Sequence, residues 1–260
     1  MTLKPGENLK FPLPDIKTDV LVNIMEALGL RDASLAEFSD IVKTVKPSSL
    51  KKLKKEGRKV INFAGGEPDF DTPSKIKESA KEAIDSGFTK YTPVAGISEL
   101  REKICQKIKE WYSLDYKPEQ IVVSNGAKHA IFNSLYVLLD PGDEVLIFSP
   151  YWVSYPEMVK LCSGKPVIVD FKETDEFHPD LDLIKSKITK KTKCIILNSP
   201  CNPTGVVWRK EELVMLAEVA VEHNIFIISD EIYSRLIYDS QHFSIAGLGK
   251  EIQARTITIN

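Results

Sequence analysis

The chain has 260 residues, 43% of them hydrophobic, enough to build one large α/β domain or a domain with an appendage. Lys and Arg total 35 against 37 Asp and Glu, a formal net charge of −2, so neither nucleic acid nor an acidic membrane surface is expected as the main partner. No segment approaches the ~18 uninterrupted apolar residues of a membrane span. The opening MTLKPGENLKFPLP carries Pro and charge where a signal peptide needs an apolar core, so a cytoplasmic location is expected. Cys105, Cys162, Cys194 and Cys201 show no CxxC spacing. They are expected to be reduced thiols, with neither a zinc site nor a disulfide framework.

In chain order, residues 1–45 begin with the Pro-rich PGENLKFPLPDIK and continue into LVNIMEALGL and SLAEFSDIV, two short amphipathic helices by pattern. The lysines of SSLKKLKKEGRK fit a solvated helix face ended by Gly57 better than a nucleic-acid patch. From Val60 a rhythm sets in. VINFA predicts a strand, followed by a turn, a helix near Ser74 to Ser86, and a second helix over ISELREKICQKIKEWY. Beyond it, the strands QIVVS, EVLIFS, KPVIVD, KCIILN, IFIIS and TITI alternate with helical patterns that include Gly126–Leu139 and Lys210–His223. Such alternation predicts an α/β fold with a mostly parallel sheet.

Open parallel sheets bind ligands beyond the carboxyl ends of their strands, which puts SNGAKHA, SPYWVSYP, NSPCNPTG and SDEIYS in the expected site. The first passes from a strand through Asn-Gly into a helix. Its opening amides have no intrahelical acceptors and suit a phosphate, with Gly126 allowing close approach and Lys128 adding charge. The second places Trp152 where a planar ring would stack, although core packing is the commoner use of a tryptophan. The third holds two prolines and a glycine that fix its backbone, so that Asn198 and Asn202 can meet a phenolic oxygen. An ordinary Asx-Pro turn is the plainer alternative.

The fourth stretch ends an apolar run on Asp230 and Glu231. A buried unpaired carboxylate costs several kcal/mol, so Asp230 needs a partner: a metal, a cationic cofactor or water. An ATPase strand also ends this way, but no G-x-x-x-x-G-K-[ST] precedes it; GLGKEIQ has the wrong spacing. A metal would want further carboxylates or His at neighbouring strand ends. A phosphorylated aromatic cofactor whose ring nitrogen stays protonated meets these demands, and pyridoxal 5'-phosphate is one.

The segments NFAGGEPDFDTP, KYTPVAGISELRE, SNGAKHAIFN, SPYWVSYPEMV, NSPCNPTG and SDEIYSRLIY resemble, in this order, the class I aminotransferases of fold type I, and among them the bacterial aspartate aminotransferase subgroup. The resemblance covers roughly residues 45–260. It implies a three-layer sandwich around a mostly parallel sheet. Its domain plan is an N-terminal extension of unassigned role at 1–45, a small-domain segment and link at 46–72, and the large cofactor-binding domain at 73–260. It further implies that Gly126, Ala127 and Lys128 form the phosphate cup and that Trp152 stacks on the ring. Asn202 and Tyr233 would bond the ring oxygen, and Asp230 would pair with the ring nitrogen. Asp230 and Tyr233 are thus the expected catalytic residues. Gly66, Trp152 and Asn202 would meet an amino acid or 2-oxo acid substrate, and Tyr91 would reach the phosphate of the other subunit of a homodimer.

Two family features are missing. The lysine that carries the cofactor follows TITIN within a few residues, and the arginine for the substrate carboxylate lies further on. This chain stops at Asn260. It is therefore expected to be a truncated, inactive piece of an enzyme. A pyridoxal-dependent C–S lyase and a non-catalytic cofactor-binding fragment are the alternatives. The resemblance also predicts six of the family's seven strands here, near 120–124, 144–149, 165–170, 193–198, 225–230 and 255–259.

Overall fold

The computed structural model describes residues 55–57, 66 and 70–260. The chain divides into two units, Met1–Phe88 and Thr89–Asn260. In the first, Gly57 takes a φ of 74° just past helical Lys55, the left-handed conformation that suits a helix end. Helix α1 runs Ser74–Asp85. The expected helices of residues 1–45 and the strand VINFA lie outside the described residues.

In the second unit the apolar runs become strands that pair only with parallel neighbours. These are β1 (Glu144–Ser149), β2 (Lys165–Asp170), β3 (Thr192–Asn198), β4 (Phe226–Asp230) and β5 (Thr256–Ile259), in the order β2-β1-β3-β4-β5. A row of isoleucines, Ile168, Ile147, Ile196, Ile228 and Ile257, runs across the sheet in register. The same register brings Asn198 beside Asp230 and Asp230 beside Ile259, so the polar strand ends form one rim.

Successive strand residues point to opposite faces, and both faces are covered. Leu146, Ile195, Leu197 and Ile227 pack under α5 (Leu181–Lys187) and α6 (Lys210–Glu222), through Ile184, Leu213 and Leu216. Val145, Ile147, Ile196 and Ile228 pack under α3 (Gly126–Leu138) and α4 (Ser154–Leu161), through Ile131, Leu135, Tyr155 and Met158. Helix α2 (Ser98–Tyr112) and the short α7 (Lys250–Gln253) complete the unit. Helix–sheet–helix layering is the architecture the sequence predicts. Among the described residues, no helix is long and apolar enough to cross a membrane.

One predicted strand is corrected. Residues 118–120 form a 3₁₀ turn and Ile121 is extended, with φ −104° and ψ 129°, yet 120–124 joins no sheet. A strand exists through its ladder, and no described strand lies beside this segment. Its main-chain bonds include Val123 N to Ala95 O at 3.0 Å, within a contact that holds Gly96 against the Val123 side chain. A β-type composition is present there without a partner.

Candidate active site

After β1 the chain turns into α4 on one face of the sheet; after β3 it leads to α6 on the other. Where neighbouring strands send their connections to opposite faces, a crevice opens at their carboxyl ends. A cleft there is lined by Ser149, Pro150, Tyr155, Asn198, Cys201 and Trp208, among others; Trp152, Asn202 and Asp230 are not in its lining, and Tyr155 is its link to Asp230. Pro150 is part of this lining, and the peptide bonds before Pro150, Pro200 and Pro203 are cis.

Asp230, the last residue of β4, is 3% exposed. Its Oδ2 accepts from the Tyr155 hydroxyl at 2.6 Å and its Oδ1 from the Ile232 amide at 3.3 Å. Burial holds the carboxyl above the usual carboxylate range, against the lowering effect of these two donors. Among the described residues it forms no ion pair with Lys, Arg or His, so the carboxylate is buried with donors but without a counter-charge. Burial, and then the facing carboxylate, push the Tyr155 hydroxyl upward, which keeps it protonated as a donor. The Asp230 carbonyl is held as well, by Asn198 Nδ2 at 3.0 Å and the Ser199 amide at 3.3 Å.

The aromatic wall is built locally. The Tyr155 amide bonds the Trp152 carbonyl at 3.0 Å as α4 begins, and the two rings meet edge to face with centroids 5.5 Å apart. Lys128, at the start of α3, sets its Nζ 4.8 Å from the Trp152 ring centroid, within cation–π range. Gly126 opens α3 at φ 80°, and a Cβ there would meet nothing within 4 Å, so glycine is required by the backbone angle and not by crowding. The next two amides, of Ala127 and Lys128, lie in the first turn, which lacks intrahelical acceptors, and the Asn125 side chain does not cap it. From β3, Asn198 Oδ1 accepts the Asn202 amide at 2.7 Å, which fixes the loop that carries Asn202.

Trp152, Asp230 and Lys128 are thus joined by direct contacts running through Tyr155 and Trp152, and Asn202 is tied to Asp230 through Asn198. Half-buried Tyr233 stands in the turn after Asp230, and Tyr91 is fully exposed. Gly66 is exposed in the first unit. Sequence reasoning missed Tyr155. The signal was available: Tyr155 follows Trp152 by three residues at a helix start, a spacing that puts two side chains on one side.

Residues 58–260 match the sequence profile of the family described as Aminotransferase class I and II. The chain belongs to this family. It is 46% identical over 234 residues to the aspartate aminotransferase of Bacillus subtilis, covering 90% of this chain and 59% of that one. It is 44% identical over 230 residues to a probable aspartate/prephenate aminotransferase of Thermus aquaticus, covering 86% and 59%. Among solved structures, an aspartate aminotransferase from Thermus thermophilus with maleate superposes with a TM-score of 0.76 at 43% identity, over 84% of this chain and 58% of that one. An aromatic aminotransferase from Pyrococcus horikoshii gives 0.74 at 44% identity, over 85% and 56%. The chain thus spans rather more than half the length of the relatives it matches.

The cofactor of this aminotransferase family is pyridoxal phosphate, and the residues present fit it. A buried carboxylate without a counter-charge suits a protonated ring nitrogen. An uncapped helix start with a left-handed glycine suits a phosphate, and the Trp152 face suits a planar ring.

Proposed function

We propose that the full-length protein is an aminotransferase that moves an amino group between an aspartate-type amino acid and a 2-oxo acid, working as a cytoplasmic homodimer. The observation that carries this reading is Asp230, buried at a strand end with two donors and, among the described residues, no counter-charge, and linked through Tyr155 to the Trp152 wall. When bound, pyridoxal phosphate supplies a cationic ring that draws electrons from the α-carbon of the amino acid.

The chain's own residues make that chemistry selective. Asp230 keeps the proton on the ring nitrogen by placing a negative charge beside it, while the Tyr155 hydroxyl holds Oδ2 and fixes which way the carboxylate faces. Trp152 sets the plane of the ring. The Gly126 amide is held by the Ser124 carbonyl at 2.9 Å, so Gly126 shapes the turn while the amides of Ala127 and Lys128 take the phosphate, and the Lys128 ammonium balances its charge. Asn202 and the Tyr233 hydroxyl would donate to the ring oxygen. Trp152 and Asn202 would also meet the substrate. Tyr91, exposed on its own subunit, is free to serve the phosphate of a partner. The aspartate preference rests on the names of the relatives.

The test is made on the full-length protein with aspartate and 2-oxoglutarate. Oxaloacetate and glutamate should form in equal amounts, and sedimentation should show a dimer. Release of pyruvate and ammonia from a thioether amino acid, with no amino transfer, would replace this reading by a lyase.

A further inference from the structure

Behind Asp230 lies a second buried carboxylate that the reading above does not use. Glu231 is 1% exposed and forms no ion pair with Lys or Arg among the described residues. Its Oε1 accepts from Ser229 Oγ at 2.9 Å and Ser244 Oγ at 2.8 Å, and its Oε2 lies 2.9 Å from His242 Nε2. The His242 side chain is 5% exposed, and its Nδ1 has no hydrogen-bond partner among the described residues. Tyr112 of α2 closes the cluster, its ring edge-to-face on His242 at 5.6 Å. A buried carboxylate and an unpaired buried nitrogen both cost stability where an apolar residue would cost none.

The geometry shows what that cost secures. The Glu231 amide bonds Ile259 O at 2.8 Å, extending the β4–β5 pairing past Asp230. Its carbonyl accepts from the Ser234 amide at 2.9 Å and from Asn260 Nδ2 at 3.3 Å. Ser234 Oγ meets Tyr112 Oη at 2.7 Å and Asn260 Nδ2 at 2.9 Å. The turn carrying Tyr233 is therefore gripped at both ends by buried groups. Adjacent strand residues point to opposite faces, so Asp230 projects toward Tyr155 while Glu231 is anchored on the far side.

We propose that Glu231 is a positioning residue: held by Ser229, His242 and Ser244, it fixes the strand end and turn that present Asp230 and Tyr233 to the cofactor. This inference rests on the function proposed above, and it assigns Glu231 and His242 no contact with substrate or cofactor.

The test is a double-mutant cycle read as the dissociation constant of pyridoxal phosphate from the full-length apoprotein, with apoprotein melting recorded beside it. Glu231→Ala should weaken binding about tenfold, the scale on which outer partners support a bound ligand. Glu231→Gln, which still accepts from both serines, should recover most of that loss. In a background that already lacks both positioned groups, Asp230→Ala with Tyr233→Phe, Glu231→Ala should change affinity by less than about twofold, because nothing it positions still meets the cofactor. Ser244→Ala removes one donor and no charge, and should repeat the pattern at smaller amplitude if Glu231→Ala does not fold. Additive losses, or a lower melting temperature with unchanged affinity, would overturn the inference and leave the proposed function standing. A wild-type protein that binds no pyridoxal phosphate would overturn both.

Discussion

Asp230 combines a functional demand with a structural penalty. Burial raises its pKa, so the folded apoprotein holds that proton more tightly than the unfolded chain does. Stability from this group therefore falls as pH rises from the ordinary carboxylate value, about 4, through the raised one. Asp230→Asn removes the charge and keeps an acceptor for Tyr155. Its apoprotein should melt above wild type at neutral pH, the difference closing as pH falls below about 4, while its affinity for pyridoxal phosphate drops. Melting curves of both apoproteins across that range check the sign; a wild-type apoprotein more stable at neutral pH would contradict it. A site residue that destabilises its own fold is a common cost of function.

At the scale of elements, the alternation of apolar runs and helical patterns was enough to place α1, α2, α3, α6 and all five strands of the sheet: α3, α6 and the strands bury the apolar residues that show in the sequence, while α1 and α2 carry helical spacing without a buried residue. The segment 120–124 reads as a strand by the same rule, yet forms none, since pairing belongs to two segments and composition to one. Asp230, Trp152 and Asn202 were legible because they end or follow strands. The link from Trp152 through Tyr155 to Asp230 was not, since Tyr155 Oη and Asp230 lie 75 residues apart in sequence. Gly126 tests how a single backbone angle starts an element. Gly126→Ala leaves its Cβ in open space but forces an L-residue to φ 80°, at a cost of about 1–2 kcal/mol. Denaturant unfolding should show that loss. Affinity for pyridoxal phosphate should fall more than affinity for pyridoxal, which has no phosphate to place on α3.

For the whole molecule, the two-faced core predicts which thiols are silent. Cys194 is fully buried on β3, and burial pushes its thiol up to about 12. Cys162 is buried behind α4, and burial raises its thiol as well. Cys105 and Cys201 are partly exposed. Under native conditions a thiol reagent should modify Cys201 and Cys105 first and reach Cys162 and Cys194 only on unfolding, as peptide mapping would show. Rapid native labelling of Cys194 would contradict the close packing of the layer formed by α3 and α4.

The crevice between β1 and β3 has a consequence for the protein's lifetime. Its lining includes Tyr155, which bonds Asp230, so a cofactor paired with Asp230 is tied to the strand ends and to α4 at once. Ligand that binds only the folded state adds stability by mass action, about 2.7 kcal/mol when its free concentration is 100 times the dissociation constant. Proteases act on the opened population, which shrinks by the same factor of about 100. The supply of a vitamin-derived cofactor would then regulate the abundance of this polypeptide as well as its activity, with chains made during scarcity degraded sooner than chains made in plenty.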